Sequence, residues 1–314
     1  MRAMFQWMIV AAFVAASAAC TTAPPGSAAP SSPRPADNGI HALPRLTPAR
    51  LAAAMAREPV VLSGEVHDNA AQHAMRAQAL RLLLQGGARP AIAFEQFDAD
   101  RQAALNAARR AAQGSVAARA ERIIRAAGAK GWNWNFYRPY VELALQYHLP
   151  IVAADLSGAQ AMKVAMHGVS SVFAPGRAAA LGLRDIPPRL LRAQEHEIAI
   201  GHCGLAPKDM LAAIATAQIA RDAVLAESIR PYLSRGVVLL TGNGHARRDI
   251  GVMVHLSDAE RARAISIGLL EDDPQSPERA SAYDLAFRMP AQARPDPCKR
   301  LRAHQHGAPL FKSH

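Results

Sequence analysis

The stretch "VVLSGEVHDNAAQHAMRAQALRLLLQGG", residues 60–87, carries the pattern that decides the fold. Its first apolar residues are typical of a short buried strand, and the later run of Ala, Leu, Arg and Gln is typical of a helix. Asn69 is a favourable helix N-cap, and Gly86 with Gly87 favours a helix end. The stretch therefore predicts a strand, a polar loop and a helix.

Similar strand-like runs recur along the rest of the chain. Seven short apolar runs bounded by turn residues are predicted strands: 59–64, 90–95, 150–155, 236–242, 251–256, 264–270 and 283–289. Long amphipathic stretches alternate with the first of them, which predicts a single α/β domain with a largely parallel central sheet flanked by helices. Because the last strands follow one another closely, we expect a mixed sheet with an antiparallel edge.

The two ends of the chain differ from this pattern. The first residues, "MRAMFQWMIVAAFVAASAAC", predict a signal peptide over residues 1–19, because their apolar run is too short to span a bilayer. "SAAC" resembles a lipobox, which makes Cys20 a predicted lipidation site and places the protein on the periplasmic side of the outer membrane. Ordinary cleavage, which gives a soluble periplasmic protein, is the alternative. Residues 20–39, rich in Pro, Ser and Ala, are interpreted as a tether. The expected domain covers residues 40–290, and a basic tail covers residues 291–314.

Charge and cysteine content limit the partners. The formal net charge is +11, but the basic residues are interspersed and an exported protein meets little nucleic acid, so we expect no nucleic-acid partner. A basic surface facing anionic lipid stays open. After Cys20, the chain holds Cys203 and Cys298. In an oxidising compartment these two either pair or stay free, and the sequence does not show which.

Acidic and imidazole side chains follow four of the predicted strands. In open α/β sheets the carboxyl ends of the strands meet at one edge, where ligands bind. These residue types in one place are typical of a site for a divalent transition metal or of an acid–base site. The candidates are Glu65, His67, Glu95 and His245, with His73 and Asp155 as further metal-ligand candidates.

Each candidate also has a purely structural interpretation. His67 alone could be a loop histidine, and Asp155 could cap the following helix. His73 lies about one turn into its helix and either ligates or supports a ligand from behind. Glu95 directly follows an apolar strand, where an unpaired charge is costly, so it needs a metal, an arginine or a histidine as partner. The aromatic segment "GWNWNFY", residues 131–137, is either a packing corner or a wall against a flat ligand.

Two strand ends share the figure Gly-x-x-His. It runs from Gly64 to His67 and again from Gly242 to His245, each time after an apolar "VVL" run. The glycines permit a positive φ or a close backbone approach where the chain leaves the sheet. We therefore expect His67 and His245 to approach each other at one edge of the sheet.

Several separated segments, in this order, resemble one known family. They include "VVLSGEVHDNAAQHAMRAQALRLL", "AIAFEQFDADRQAAL", "GWNWNFYRPYVELALQYHLPIVAADLS" and "VVLLTGNGHARRDIGVMVHL", and they span residues 60–256. The chain resembles the ChaN-like family of iron-regulated, haem-binding lipoproteins, within the wider Tiki and erythromycin-esterase-like superfamily. The resemblance implies one ChaN/Tiki-like domain and a site built from Glu65, His67, Glu95 and His245.

The resemblance also implies haem as the ligand, with a tyrosine bound to the iron. No motif selects one of the five tyrosines, which are Tyr137, Tyr140, Tyr147, Tyr232 and Tyr283. The first hypothesis is therefore a haem- or iron-binding lipoprotein of uptake, held at the membrane by its lipid anchor. Its partner is haem or another small molecule, and a homodimer is left open.

The second hypothesis is a metal-dependent hydrolase acting on an ester or an amide. Glu65, His67, Glu95 and His245 would converge on one ion or one water, some as ligands and one as general base. Both hypotheses need the same residues at the same edge of the sheet.

Overall fold

A computed structural model of the chain describes residues 46–272, 279–296 and 298–299. The predicted signal peptide, Cys20, the predicted tether and most of the basic tail lie outside the described residues. No helix within the described part is both long enough and apolar enough to cross a membrane.

A six-stranded sheet forms the centre of the domain. Its strands are β1 Val60–Ser63, β2 Ala91–Asp98, β3 Ile151–Asp155, β4 Val237–Leu240, β5 Ala264–Glu271 and β6 Leu285–Met289. They lie in the order β3-β2-β4-β1-β5-β6, and every neighbouring pair is parallel. The α/β prediction is confirmed, and the sheet has the strand-end edge that the site prediction required.

Two details of the predicted sheet are wrong. The expected antiparallel edge is absent, because β6 pairs with β5 in parallel, with Leu285 opposite Ile267. The connection of about a dozen residues is long enough for a crossover. The predicted strand at 251–256 is a 3-10 helix, Val252–His255. Its residues Val252 and Met253 pack into the core on one face of the sheet instead of pairing with a strand.

Helices occupy both faces of the sheet. They are α1 Pro48–Met55, α2 Ala70–Gln85, α3 Gln102–Ala111, α4 Val116–Ala127, α5 Trp134–Gln146, α6 Gly158–His167, α7 Pro175–Ala180, α8 Pro188–Gly201, α9 Lys208–Ile229, α10 Asn243–Ala246 and α11 Asp258–Arg261. As predicted, Asn69 caps α2, since its side chain accepts a hydrogen bond from the Gln72 amide. Ser157, not Asp155, caps α6, which leaves the Asp155 carboxylate available for the site.

The core has two main layers, one on each face of the sheet. Residues of α1, α2, α4 and α5 cover one face, and residues of α9 with the 3-10 helix at 252–255 cover the other. β1 and β4 are buried along their whole length, as expected for central strands of a parallel sheet with both faces covered. Charged side chains at their ends therefore enter a partly dehydrated region.

The C-terminal strap, defined as residues 290–296 with 298–299, crosses beside the carboxyl end of β1. Arg294 pairs with Asp68 at 2.7 Å and with Glu271 at 2.6 Å. A disulfide joins Cys298 of the strap to Cys203, at the turn after α8. Arg294 and Cys298, which lie in the predicted basic tail, thus contact the domain.

Candidate functional site

Four predicted site residues come together at the carboxyl ends of β1 and β4 and beside the second half of β2. Nε2 of His67 lies 3.8 Å from Glu95 Oε1, and Nε2 of His245 lies 3.6 Å from the same oxygen. Glu65 contacts His67 from the other side, since Glu65 Oε1 lies 2.9 Å from His67 Nδ1. The two histidines therefore face one carboxylate, as their positions after β1 and β4 predicted.

Glu65 lies at the bottom of the site and is fully enclosed by partners. The Tyr137 hydroxyl donates to Oε1 at 2.8 Å, and His73 Nε2 lies 2.6 Å from Oε2. Behind them, the buried Arg76 guanidinium lies 3.6 Å from Oε1. Burial alone would raise the pKa of Glu65, but Arg76 and the hydrogen bonds from His67 and His73 hold that pKa well below 4.5. Glu65 is therefore an anion that fixes the orientation of His67.

Glu95 is held by β4 and by α9. Its Oε2 accepts hydrogen bonds from the Thr241 hydroxyl at 2.7 Å and from the Gly242 amide at 2.8 Å. Its Oε1 accepts one from Arg221 at 3.0 Å. Burial opposes the charged form, but His245, His67 and Arg221 lower the pKa of Glu95 to about 2. Glu95 lies within β2 and not after it, so its expected position was wrong. The charged partner that it needs is Arg221, with the two histidines close by.

His245 has its own carboxylate. Its Nδ1 lies 2.7 Å from Oδ1 of Asp222, which is buried on α9 and is held further by Gln194. The Nδ1 contact leaves Nε2 facing Glu95 and Gln218. Desolvation opposes protonation, but the charges of Asp222 and Glu95 outweigh it and raise the pKa of His245 above 6.5. His245 thus repeats the arrangement of His67, with Nδ1 anchored and Nε2 turned inward.

Asp155 forms a second contact with the same arginine. Arg221 Nε donates to both oxygens of Asp155 at 3.1 Å, and Arg221 also reaches Glu95. Asp155 is thus neither a helix cap nor in contact with His67 or His245. Sequence reasoning missed Arg221 and Asp222, although a signal existed: two adjacent charged residues interrupt the Ala- and Ile-rich middle of the helix. Both side chains are buried, and the packing of α9 against the sheet places them at the strand ends.

Close approach, not positive φ, explains the two glycines of the Gly-x-x-His figure. A Cβ on Gly242 would lie 2.7 Å from the His67 ring, and one on Gly64 would lie 2.6 Å from the Asn243 side chain. Neither glycine has a positive φ. The His67 ring therefore lies directly over the backbone of Gly242, and only a residue without a side chain leaves it room.

An aromatic wall borders the site on the α5 side. Trp132 meets the His67 ring edge to face at 4.8 Å, and Phe136 stacks on His73 at 4.5 Å. Tyr137 completes the wall through its hydrogen bond to Glu65. The segment packs into the core through the buried Tyr137, as the packing interpretation expects, and the half-exposed Trp132 lies beside the half-exposed His67. Its use as a wall against a flat ligand stays a prediction.

Within the described residues, no group of three or more His, Cys, Asp or Glu side chains is arranged to hold a metal ion. Arginine takes up much of the carboxylate charge, through Arg221 at Glu95 and Asp155 and through Arg76 at Glu65. The metal role proposed for the four main candidates, and for His73 and Asp155, stays a prediction.

Sequence comparison connects this site to a family. The family described as haem-binding uptake, Tiki superfamily, ChaN matches residues 51–256. The chain belongs to the ChaN family. The match runs from α1 to the end of the 3-10 helix before α11, so it includes both Gly-x-x-His segments and Glu95, and it confirms the resemblance noted in the sequence. No curated protein sequence matches the chain.

One solved structure agrees with the ChaN assignment at the level of the fold. The chain is similar to ChaN of Campylobacter jejuni, described with cofacial haem binding, at 17% identity and a TM-score of 0.58, over 76% of this chain and 89% of that one. An erythromycin esterase, EreC, in an open conformation matches at 14% identity and a TM-score of 0.40, over 71% of this chain and 72% of that one. A succinoglycan biosynthesis protein matches at 12% identity and a TM-score of 0.38, over 71% and 68%.

The tyrosines of this chain do not fit the iron ligand that the ChaN resemblance implied. All five lie among the described residues, and Tyr137, Tyr140 and Tyr283 are buried with hydrogen-bonded hydroxyls. Burial raises the pKa of Tyr137 well above 10, with Glu65 adding to the effect, which disfavours a tyrosinate. Tyr147 and Tyr232 precede β3 and β4, so they lie towards the opposite edge of the sheet from His67.

Proposed function

We propose that this chain binds haem for uptake, at the strand-end site beside His67. The observation that carries the proposal is the ChaN family match. The matched residues include the whole site but not the strap, which only contacts residues next to the site. Haem binding needs a ligand for the iron, an apolar surface for the porphyrin and basic groups for the propionates. In this chain the imidazole and the aromatic wall supply the first two.

His67 is the residue we assign to the iron. Glu65 holds its Nδ1 at 2.9 Å, which leaves Nε2, 3.8 Å from Glu95 Oε1, as the ring nitrogen without a hydrogen bond to any described residue. Metal-binding histidines are commonly oriented in this way by a carboxylate. Trp132 lies against the ring and is half exposed, so it offers an apolar edge next to the ligand. Bound iron would give this site a redox-active centre, and the residues described here orient its ligand.

Changing His67 to Ala is expected to abolish the Soret shift that titration with hemin produces, while E65Q weakens hemin binding by about 10–100-fold. Loss of the Glu65 charge leaves the imidazole less basic and less well oriented. H167A is the matched control, since His167 is exposed at the end of α6. If the H67A and H167A titrations match that of the unchanged chain, iron ligation by His67 is wrong. If the unchanged chain gives no Soret shift, haem binding itself is wrong.

Hemin affinity is also expected to rise with pH. Desolvation opposes protonation of His67, but Glu95 and Glu65 outweigh it and raise the pKa of His67 above 6.5. The group is thus largely protonated at pH values below that raised pKa, and a proton on Nε2 competes with iron. Titrations between about pH 6 and 9 should show binding that strengthens as His67 loses its proton. A flat profile would argue against a titrating imidazole as ligand.

A hydrolase is the second candidate function, and one observation favours it. Two imidazoles, His67 and His245, each anchored at Nδ1 by a carboxylate, turn Nε2 towards the same space beside Glu95. One could accept a proton from water while the other donates one to a leaving group, without a metal. Ester and amide panels that stay silent for the unchanged chain, and equally silent for H245A, would remove this candidate.

Lipidation at Cys20 and a position at the periplasmic face of the outer membrane belong to the same proposal. They are supported by the apolar N-terminal run and by the "SAAC" sequence. The mass of the mature N-terminal peptide tests them, because a lipoprotein carries acyl groups on Cys20, and ordinary cleavage leaves an unmodified terminus.

A further inference from the structure

Basic residues gather on the two helices α3 and α4, which follow the end of β2. Residues 99–130 contain seven basic residues and two acidic ones, so close to half of the formal charge of +11 lies in this segment. The helices pack against each other across a short connection, residues 112–115. Charges that look interspersed in the sequence are therefore concentrated in the fold.

The available carboxylates do not neutralise this segment. Glu121 already pairs with Arg125 at 3.4 Å and with Arg138. Arg101 donates to the Ala126 carbonyl. Four other arginines have no hydrogen bond or ion pair with any described residue, and we name them the hairpin arginines: Arg109, Arg110, Arg119 and Arg122.

Two hairpin arginines lie in a partly dehydrated position. Arg109 and Arg119 are half-buried, and Arg119 Nε is buried with no hydrogen-bond partner in the described part of the chain. Burial lowers the pKa of Arg109, and the neighbouring charge of Arg119 lowers it further. Two like charges held close together, one of them with an unsatisfied donor, are costly without an anion between them.

We propose that the hairpin arginines bind the phosphate groups of an anionic phospholipid surface. Guanidinium groups match phosphate oxygens through paired hydrogen bonds. The helical hairpin formed by α3 and α4 lies at the edge of the sheet. There, Gln102 at the start of α3 hydrogen-bonds to the edge strand β3. It offers an exposed set of charges, with Arg110 and Arg122 outermost, and not an enclosed pocket for a small anion. The choice of lipid rests on the proposed membrane anchoring of this chain.

Co-sedimentation with vesicles tests this binding. The chain from residue 20 onward, carrying C20S so that no acyl anchor contributes, is mixed with vesicles of phosphatidylcholine alone or with about a third phosphatidylglycerol. We expect binding to the anionic vesicles only, weakened by salt. R109Q/R119Q should weaken it roughly 30-fold, because each arginine near an anionic surface contributes roughly a five- to sixfold affinity increase.

The matched control is R189Q/R192Q, which removes the same charge from two exposed positions on α8. Equal losses in the two double variants, or equal binding to both kinds of vesicle, would overturn the proposal. If thermal unfolding shows that R109Q/R119Q does not fold, the exposed pair R110Q/R122Q replaces it, with the same expected selectivity.

Hemin titration of the same proteins separates this inference from the proposed function. A chain that binds anionic vesicles through Arg109 and Arg119 but gives no Soret shift supports the membrane surface and contradicts haem binding. A hairpin variant that loses hemin binding while still sedimenting with vesicles assigns these arginines to the haem propionates, which overturns the inference.

Discussion

Replacing Arg221 with Met is expected to destabilise the folded chain by about 3–5 kcal/mol, the range for removing one partner of a buried ion pair. Arg221 is the shared partner of Glu95 and Asp155, at 3.0 Å from the first and 3.1 Å from both oxygens of the second. Methionine is apolar, so both carboxylates would keep their desolvation cost and lose their hydrogen bonds.

Denaturant unfolding measures the loss, with Arg177→Met as the matched control. Arg177 makes a similar two-point contact with Glu227, at 3.3 and 2.7 Å, but both groups are exposed. An exposed pair of this kind contributes about 0–1 kcal/mol. Equal losses in the two variants would show that burial adds nothing to the Arg221 network.

The same variant has a pH signature. Burial raises the pKa of Asp155 above 3.8 even with Arg221 present, since the arginine only partly offsets the desolvation. Without Arg221 that pKa should rise further, so Asp155 takes up a proton on folding at mildly acidic pH. The loss caused by R221M is therefore largest near neutral pH and smaller as the pH falls. A loss independent of pH would point to packing and not to charge.

Local sequence patterns are enough to predict most of the sheet. The apolar runs before Gly64 and Gly242 have the length and the flanking residues of buried strands, and they fix which side chains leave the sheet at its carboxyl edge. The orientation of β6 was not predictable in this way, because it depends on the path of a connection and not on the strand. The strand prediction for residues 251–256 was wrong because the apolar residues of this segment can pack into the core from a 3-10 helix as well as from a strand.

The site was half predictable for a similar reason. Glu65, His67 and His245 follow strands directly and Glu95 lies in the second half of β2, so the sheet places them together. Asp222 and Arg221 approach from α9, more than 100 residues after Glu95 in the sequence, and their position depends on how that helix packs across the sheet. The sequence predicts that Glu95 has a partner for its charge. It does not show whether that partner is a metal or an arginine, because this depends on tertiary packing.

The C-terminal strap is the part that sequence patterns describe least. Residues 291–296 look like a polar tail, yet Arg294 bonds to Asp68 and Glu271, and the Asn69 side chain donates to the Pro290 carbonyl. Asp68 is the residue after His67, so the strap borders the mouth of the site. The contacts to Asp68 and Asn69 join residues more than 200 positions apart, a distance at which local patterns carry no information.

Removing the disulfide with C203S/C298S is expected to lower the free energy of unfolding by about 2–4 kcal/mol. The bond links residues 95 positions apart. In the chain-entropy description, closing a loop of that length raises the free energy of the unfolded chain by roughly 4.7 kcal/mol. The stabilisation measured in proteins is somewhat smaller. The strap's Arg294 pairs remain in the variant, so the loss should come mainly from the unfolded chain and less from the folded contacts.

Two measurements separate this effect from a general weakening of the strap. Reductant should destabilise the unchanged chain by the same amount as the double substitution, and it should leave C203S/C298S unaffected. R294Q keeps the disulfide but removes the pairs with the exposed Asp68 and the buried Glu271. It should cost roughly 1–3 kcal/mol, because the Glu271 carboxylate loses its charged partner but keeps its hydrogen bonds from Asn69 and Gln292. A double variant as stable as the unchanged chain would mean that the Arg294 contacts alone hold the strap in place. If R294Q lowers the free energy of unfolding more than C203S/C298S does, the ion pairs of Arg294 hold the strap in place and the disulfide adds little.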